Sequence, residues 1–266
     1  MKQKTQLLAV AGALILAAGF AASTAQAGQC LPQGANCGKP AGLVKPVSQQ
    51  QDQDEQQSGT DAIVDIRSIA QGQSYGHWAA DWWKWAVSIP AANNPLLDST
   101  GQYCGERQTG NVWFLAGYAG SGTVSRTCTV PAGKSLFFPI INNFYAAWLN
   151  DPPDTRTDDY VRNAAVNGCT NYQITKVEID DMKVINPMRY NTGKTGSQSP
   201  MFTAQLPPDN LFGLTTDVAP ELAFSPSAEY GYYLFLKPLK RGQRTIKWSA
   251  SSSCGTQDIT YHLTIQ

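Results

Sequence analysis

Charge is scarce in this chain. Asp, Glu, Lys and Arg together make up 15% of the residues, 20 acidic against 20 basic, and histidine occurs twice. Without a basic surplus there is no electrostatic footprint for nucleic acid or an anionic membrane, and neither is an expected partner. No H-E-x-x-H, C-x-x-C, C-x-x-C-H or copper-site pattern occurs, so the common zinc and haem signatures are missing. The apolar run at 7–20 falls short of the roughly 20 residues that a bilayer span needs. No βαβ alternation and no internal repeat is evident, which argues against a doubly wound fold or a solenoid.

What the chain does contain starts with its first 27 residues. Lys2 and Lys4 precede the apolar run, and Ala25-Gln26-Ala27 supplies the small-x-small pattern of a cleavage site. This reads as a signal peptide cleaved after Ala27, giving a secreted or periplasmic protein of about 239 residues. Loss of the two lysines takes the formal charge from 0 to −2. All six cysteines lie in the mature part, and an even count in an exported chain favours disulfides. Six cysteines allow about fifteen pairings, among which sequence does not choose. The expected set is Cys30–Cys37 and Cys104–Cys128, which close short loops, and Cys169–Cys254, which ties the mid-chain to the C-terminal strands. Gln29 is too large for a lipidation signal ahead of Cys30.

Residues 28–60 read as an arm. Pro32, Gly34, Gly38, Pro40, Gly42 and Pro46 break any period, and the Gln/Asp-rich run 48–58 cannot bury enough apolar surface to offset its ordering entropy. The globular domain is expected over 61–266, where Ile63, Ile66 and Ile69 suggest an ordered, partly buried start. Strands are expected at 112–116, 123–130, 135–141, 173–179, 182–185, 201–206, 230–236, 245–250 and 259–265. Gly/Pro turn chemistry separates several of them, and Asp180-Asp181 suits a hairpin. Helices are expected at 74–89 and 158–166, the second capped by Thr157 or Asp158. The fold class is mainly β: an antiparallel β-sandwich or jelly-roll-like domain with one Trp-rich helix and a second short helix.

The densest local signal is GHWAADWWKWAVSIP at 76–90. At helical spacing Trp78, Trp82, Trp85 and Ile89 share a stripe, extended by Ala79, Trp83 and Ala86. His77, Asp81, Lys84 and Ser88 form a separate polar stripe. The Trp face can pack on the sheet. Alternatively, one or two of Trp78, Trp82, Trp83 and Trp85 remain exposed as stacking platforms for sugar rings. His77 and Asp81, four residues apart, are candidates for an oriented imidazole and thus for acid/base chemistry. They equally suit a solvated helix face.

Other motifs are weaker. GQSYG at 72–76 matches G-x-S-x-G, but no buried parallel strand precedes it, and Ser74 reads more simply as a helix N-cap. PAGKS at 131–135 lacks the first glycine of a phosphate loop, having Cys128 there. Asp151, Asp154, Asp158 and Asp159 offer hard oxygen ligands, and calcium is the one cofactor they would suit. A helix start explains the same carboxylates, because Asp is favoured there.

Several segments carry a resemblance: 76–90, NPLLD at 94–98, VWFLAG at 112–117, RTCTVPAGKSLFFPI at 126–140, LPPDNLFG at 206–213, and the end of the chain from 242. Together they are similar to a widespread family of predicted exported bacterial proteins of unsettled function. The similarity covers roughly 70–266. It implies export and a shared fold, and it carries over no catalytic residue. Its members often have an acidic residue at the position of His77, which counts against that imidazole as an obligate group.

The leading expectation is a secreted, non-enzymatic module that binds an extracellular or cell-envelope ligand, a glycan above all. The alternatives are a polysaccharide hydrolase or lyase and a structural or interaction protein of the envelope. The hydrolase or lyase would use His77 with Asp81 or the carboxylates of 151–159.

Overall fold

The computed structural model describes residues 61–266 apart from 121, 149, 195 and 217–220. The expected signal peptide, the 28–60 arm and the Cys30–Cys37 pairing lie outside the described residues. Among the described residues nine strands form two sheets. The first has the order β1 (Val112–Phe114), β3 (Ser135–Ala146), β7 (Ala223–Leu236), β6 (Phe202–Gln205). The second has the order β2 (Val124–Val130), β9 (Gly255–Ile265), β8 (Gly242–Ser252), β4 (Gln173–Ile179), β5 (Met182–Lys183). Pairing is antiparallel except at one edge of each sheet, where β1 runs parallel to β3 and β2 parallel to β9. The fold is thus the expected β-sandwich with a parallel strand added at two edges.

The molecule has three layers, and the burial pattern of each strand shows its place. Strand β2 alternates buried and exposed along its length. The outer face of β9 carries Thr260, His262 and Thr264, and its inner face Ile259, Tyr261, Leu263 and Ile265. The second sheet therefore meets solvent on one side. By contrast, β3 is buried continuously from Ser135 to Ile141, because the first sheet is covered on both faces. Phe138 stacks on Trp248 of the second sheet, with ring centroids 5.0 Å apart. Its neighbour Phe137 points the other way, edge-on to Tyr75 of helix α1 (Tyr75–Ser88) at 5.9 Å. Helix α2 (Asp158–Asn167) packs on β3 and β7 through Val161 and Ala165.

Local chemistry sets the element ends. Ser74 caps α1 by accepting from the His77 amide at 3.4 Å, and Thr157 caps α2 by accepting from Tyr160 at 3.2 Å. Asp180 and Asp181 both have positive φ, 51° and 62°, and form a two-residue hairpin between β4 and β5. At the start of the domain Ile63 bridges to Leu236, while Ile69 is 69% exposed. The expected partly buried start therefore holds for Ile63 and Ile66 and fails at Ile69, whose side chain faces solvent.

Two disulfides match the expected pairing, Cys104–Cys128 and Cys169–Cys254. Among the described residues no helix is long and apolar enough to cross a membrane.

Candidate functional site

Helix α1 distributes its four indoles between core and surface. Trp82 is fully buried and its Nε1 donates to the Leu115 carbonyl at 3.0 Å. Trp85 is 7% exposed and donates to the Glu106 carbonyl at 2.9 Å. Trp78 is half-buried and donates to the Ala70 carbonyl at 2.8 Å. Trp83, also half-buried, stacks on Phe144 at 4.4 Å. Core packing thus claims Trp82 and most of Trp85, while Trp78 and Trp83 keep exposed surface.

The polar stripe of α1 forms one wall of an open groove of about 460 Å3. Trp78, Phe114 and Trp85 make its floor. The Trp78 and Phe114 rings are 6.3 Å apart, and those of Trp85 and Phe114 are 5.4 Å apart. The rim carries hydrogen-bonding groups: Asp81, Lys84 and Ser88 from the helix, and Arg107, Thr109 and Asn111 from the facing loop. Asp81 accepts from Lys84 Nζ at 3.1 Å and from Gln73 Nε2 at 3.0 Å, so its charge is matched within its own wall.

The loop that makes the other wall spans 94–111 and contains turns only. Connections this long without secondary structure are uncommon, and ordered ones carry function more often than not. This one is held at several points. Arg126 is only 1% exposed, and its guanidinium donates to the carbonyls of Pro95, Asp98, Ala116 and Gly117 and to the Tyr261 hydroxyl. Asp98 accepts from the Tyr103 and Thr100 amides and the Thr100 hydroxyl. Burial works against its charge, but these hydrogen bonds outweigh it and hold the carboxyl below its usual range. Gln108 Nε2 bridges the Cys104 and Phe114 carbonyls, and the Cys104–Cys128 disulfide ties the loop to β2.

A second, smaller cleft of about 90 Å3 lies on the opposite flank of α1, between Trp83, Phe144, Phe212 and Asn142.

The other sequence candidates are placed as follows. His77 is exposed, and its Nδ1 lies 2.9 Å from Ser74 Oγ, whereas Asp81 turns to Gln73 and Lys84. The expected His77–Asp81 pairing is not made, because each side chain has a nearer partner on its own turn. His77 also stands outside the groove that Asp81 lines. Ser74 is occupied as the cap of α1. Asp151 accepts from the Trp148 amide at 3.1 Å, Asp158 and Asp159 sit in the first turn of α2, and Asp154 is exposed. Among the described residues no three His, Cys, Asp or Glu side chains gather as a metal site requires, so the four carboxylates do not form a common calcium cradle.

Sequence reasoning missed the loop side of the groove. Arg107, Thr109 and Asn111 lie in a stretch with no period or motif. For Arg126 a signal existed: the alternation Val124, Arg126, Cys128, Val130 puts the arginine on the inward face.

No protein-family model, curated protein or solved structure matches this chain.

Proposed function

We propose that this protein is an exported, non-enzymatic module that binds a glycan of the extracellular space or cell envelope in the groove beside α1. The observation that carries the reading is the groove's composition, an aromatic floor of Trp78, Phe114 and Trp85 below a rim of hydrogen-bonding side chains. A sugar ring offers matching surfaces. Its C–H face packs on aromatic rings, and its hydroxyls at the edge exchange hydrogen bonds with polar groups. Asp81 is the one carboxylate among the lining residues, whereas glycoside hydrolysis ordinarily uses two flanking the scissile bond. That supports binding over cleavage. The two disulfides fit an oxidising compartment, in keeping with export.

The test is incubation of the mature protein with a panel of soluble and insoluble polysaccharides, following both its depletion from solution and the release of new chain ends. Depletion without new ends is expected, and Trp78→Ala should abolish it while the circular dichroism spectrum stays that of the parent. New chain ends would make the protein a hydrolase or lyase. No depletion by any polymer would turn attention to a protein partner in the envelope.

A further inference from the structure

The groove's charge is lopsided, although the chain as a whole carries equal numbers of acidic and basic residues. Asp81 and Lys84 neutralise one another across 3.1 Å. Arg107 faces them from the loop wall, exposed and with no ion pair among the described residues. Just beyond it, Lys134 donates to the carbonyl of Gly110, another lining residue, and likewise makes no ion pair among the described residues. The loop wall therefore presents one uncompensated cation, Arg107, with Lys134 just outside the groove.

Arg107 is also held in place. Its Nη1 donates to the Ser88 carbonyl at 2.8 Å, at the C-terminal end of α1 where a cation is favoured. Its backbone sits in the left-handed region at φ 49°, which a non-glycine residue adopts at a cost and which recurs at ligand-binding positions. With Nη1 committed to Ser88, the Nε–H and Nη2–H edge remains available. That edge presents two parallel donors, the geometry that takes two oxygens of one planar or tetrahedral anion.

Resting on the glycan reading above, we infer that the groove takes an anionic oligosaccharide, with Arg107 gripping the acidic group of one sugar at the C-terminal end of α1 while another sugar ring, about 15 Å away along the helix, lies on Trp78. The acid is a uronate carboxylate or a sulfate ester, which share this chemistry.

The experiment is calorimetric titration of the mature protein with polygalacturonate, its fully methyl-esterified form, sulfated dextran and neutral dextran, at low and raised salt. The variants are Arg107→Asn and Trp78→Ala. Asparagine tolerates positive φ, so the loop backbone keeps its conformation. Binding to at least one anionic polymer is expected, weakened by salt and reduced about tenfold or more by Arg107→Asn. If methyl esterification also abolishes binding, the recognised group is the carboxylate; if sulfated dextran alone binds, it is the sulfate. Equal binding of charged and neutral polymers, lost in Trp78→Ala and untouched by Arg107→Asn, would overturn the anionic class and leave the glycan groove standing. Binding to none of the four would overturn the anionic class, and a blank across the wider polysaccharide panel would remove the glycan reading with it.

Discussion

Arg126 shows how one side chain can organise a functional wall. A buried guanidinium with no carboxylate bonded to it is tolerable only because its N–H groups find oxygen, here four carbonyls and one hydroxyl. Replacing it by methionine strands the carbonyls of Pro95, Asp98 and Gly117, while that of Ala116 keeps the Tyr261 hydroxyl, and each buried, unpaired carbonyl costs about 1–3 kcal/mol. We expect Arg126→Met to lower unfolding stability in urea by more than about 3 kcal/mol, and Arg126→Lys to recover only part of it because an ammonium cannot span the same set. A second buried ionisable group, Glu229, tests burial differently. Burial pushes its carboxyl up from 4.5 to about 7, with Tyr233, Thr192, Arg162 and Ser199 pulling the other way. Oε2 accepts from Thr192, while Oε1 has no hydrogen bond among the described residues. Because the folded value is the higher, the folded state keeps a proton that the unfolded chain gives up. Stability is therefore full below about pH 4.5, falls as pH rises, and levels off above about 7. At about 1.4 kcal/mol per unit the fall attributable to this group is on the order of 3 kcal/mol. Glu229→Gln should flatten that slope in melting curves recorded across this range; an unchanged slope would mean that Glu229 is not the group responsible. For Arg126 the alternation of β2 pointed inward, whereas Glu229, a lone Glu in a Tyr-rich strand, looks like a surface position in the sequence.

Among the elements, α1 was the most legible and the most ambiguous. Its spacing of Trp78, Trp82, Trp85 and Ile89 announced an apolar face, and its Ser74 cap set its start. Spacing does not say which rings lie at the margin of the buried face, and this margin is where the function is proposed to sit. Trp82 is deep, its Nε1 bonded to the Leu115 carbonyl just beyond β1, whereas Trp78 is half-buried against the edge of Phe114. Loop 94–111 was illegible as a wall for a different reason: its shape comes from contacts with Arg126, Cys128, Ser88 and Trp85, all distant in sequence. The N-terminal turn of α1 is set by a close approach. A Cβ at Gly76 would fall 2.1 Å from the Gln198 carbonyl oxygen. Gly76→Ala should therefore displace α1 from the 198–199 segment at a cost of about 1–3 kcal/mol, visible as a lowered melting temperature. An unchanged melting temperature would mean that the 198–199 segment leaves room for a Cβ at Gly76.

At the scale of the whole molecule, the three layers explain why the groove lies where it does. Helix α1 must cover the outer face of the first sheet, because Phe137, Tyr233 and Phe235 would otherwise face water. The sandwich leaves β1 as a three-residue edge strand, too short to wall the helix flank, and the disulfide-tied loop before it fills that role. The strands and their order of burial could be read from alternation and turns. The two parallel edge pairings could not, since they join segments separated by long connections. The reading proposed above is that an acidic oligosaccharide spans the groove from Trp78 to Arg107. Its most direct test is the heteronuclear NMR spectrum of the indole N–H and arginine Nε–H groups, recorded while an acidic oligosaccharide is titrated in. The Trp78 and Arg107 signals should shift together and saturably, while that of Trp248, sealed between the sheets, stays still. Shifts confined to Trp83 and its cleft, or no shift at any concentration, would contradict it.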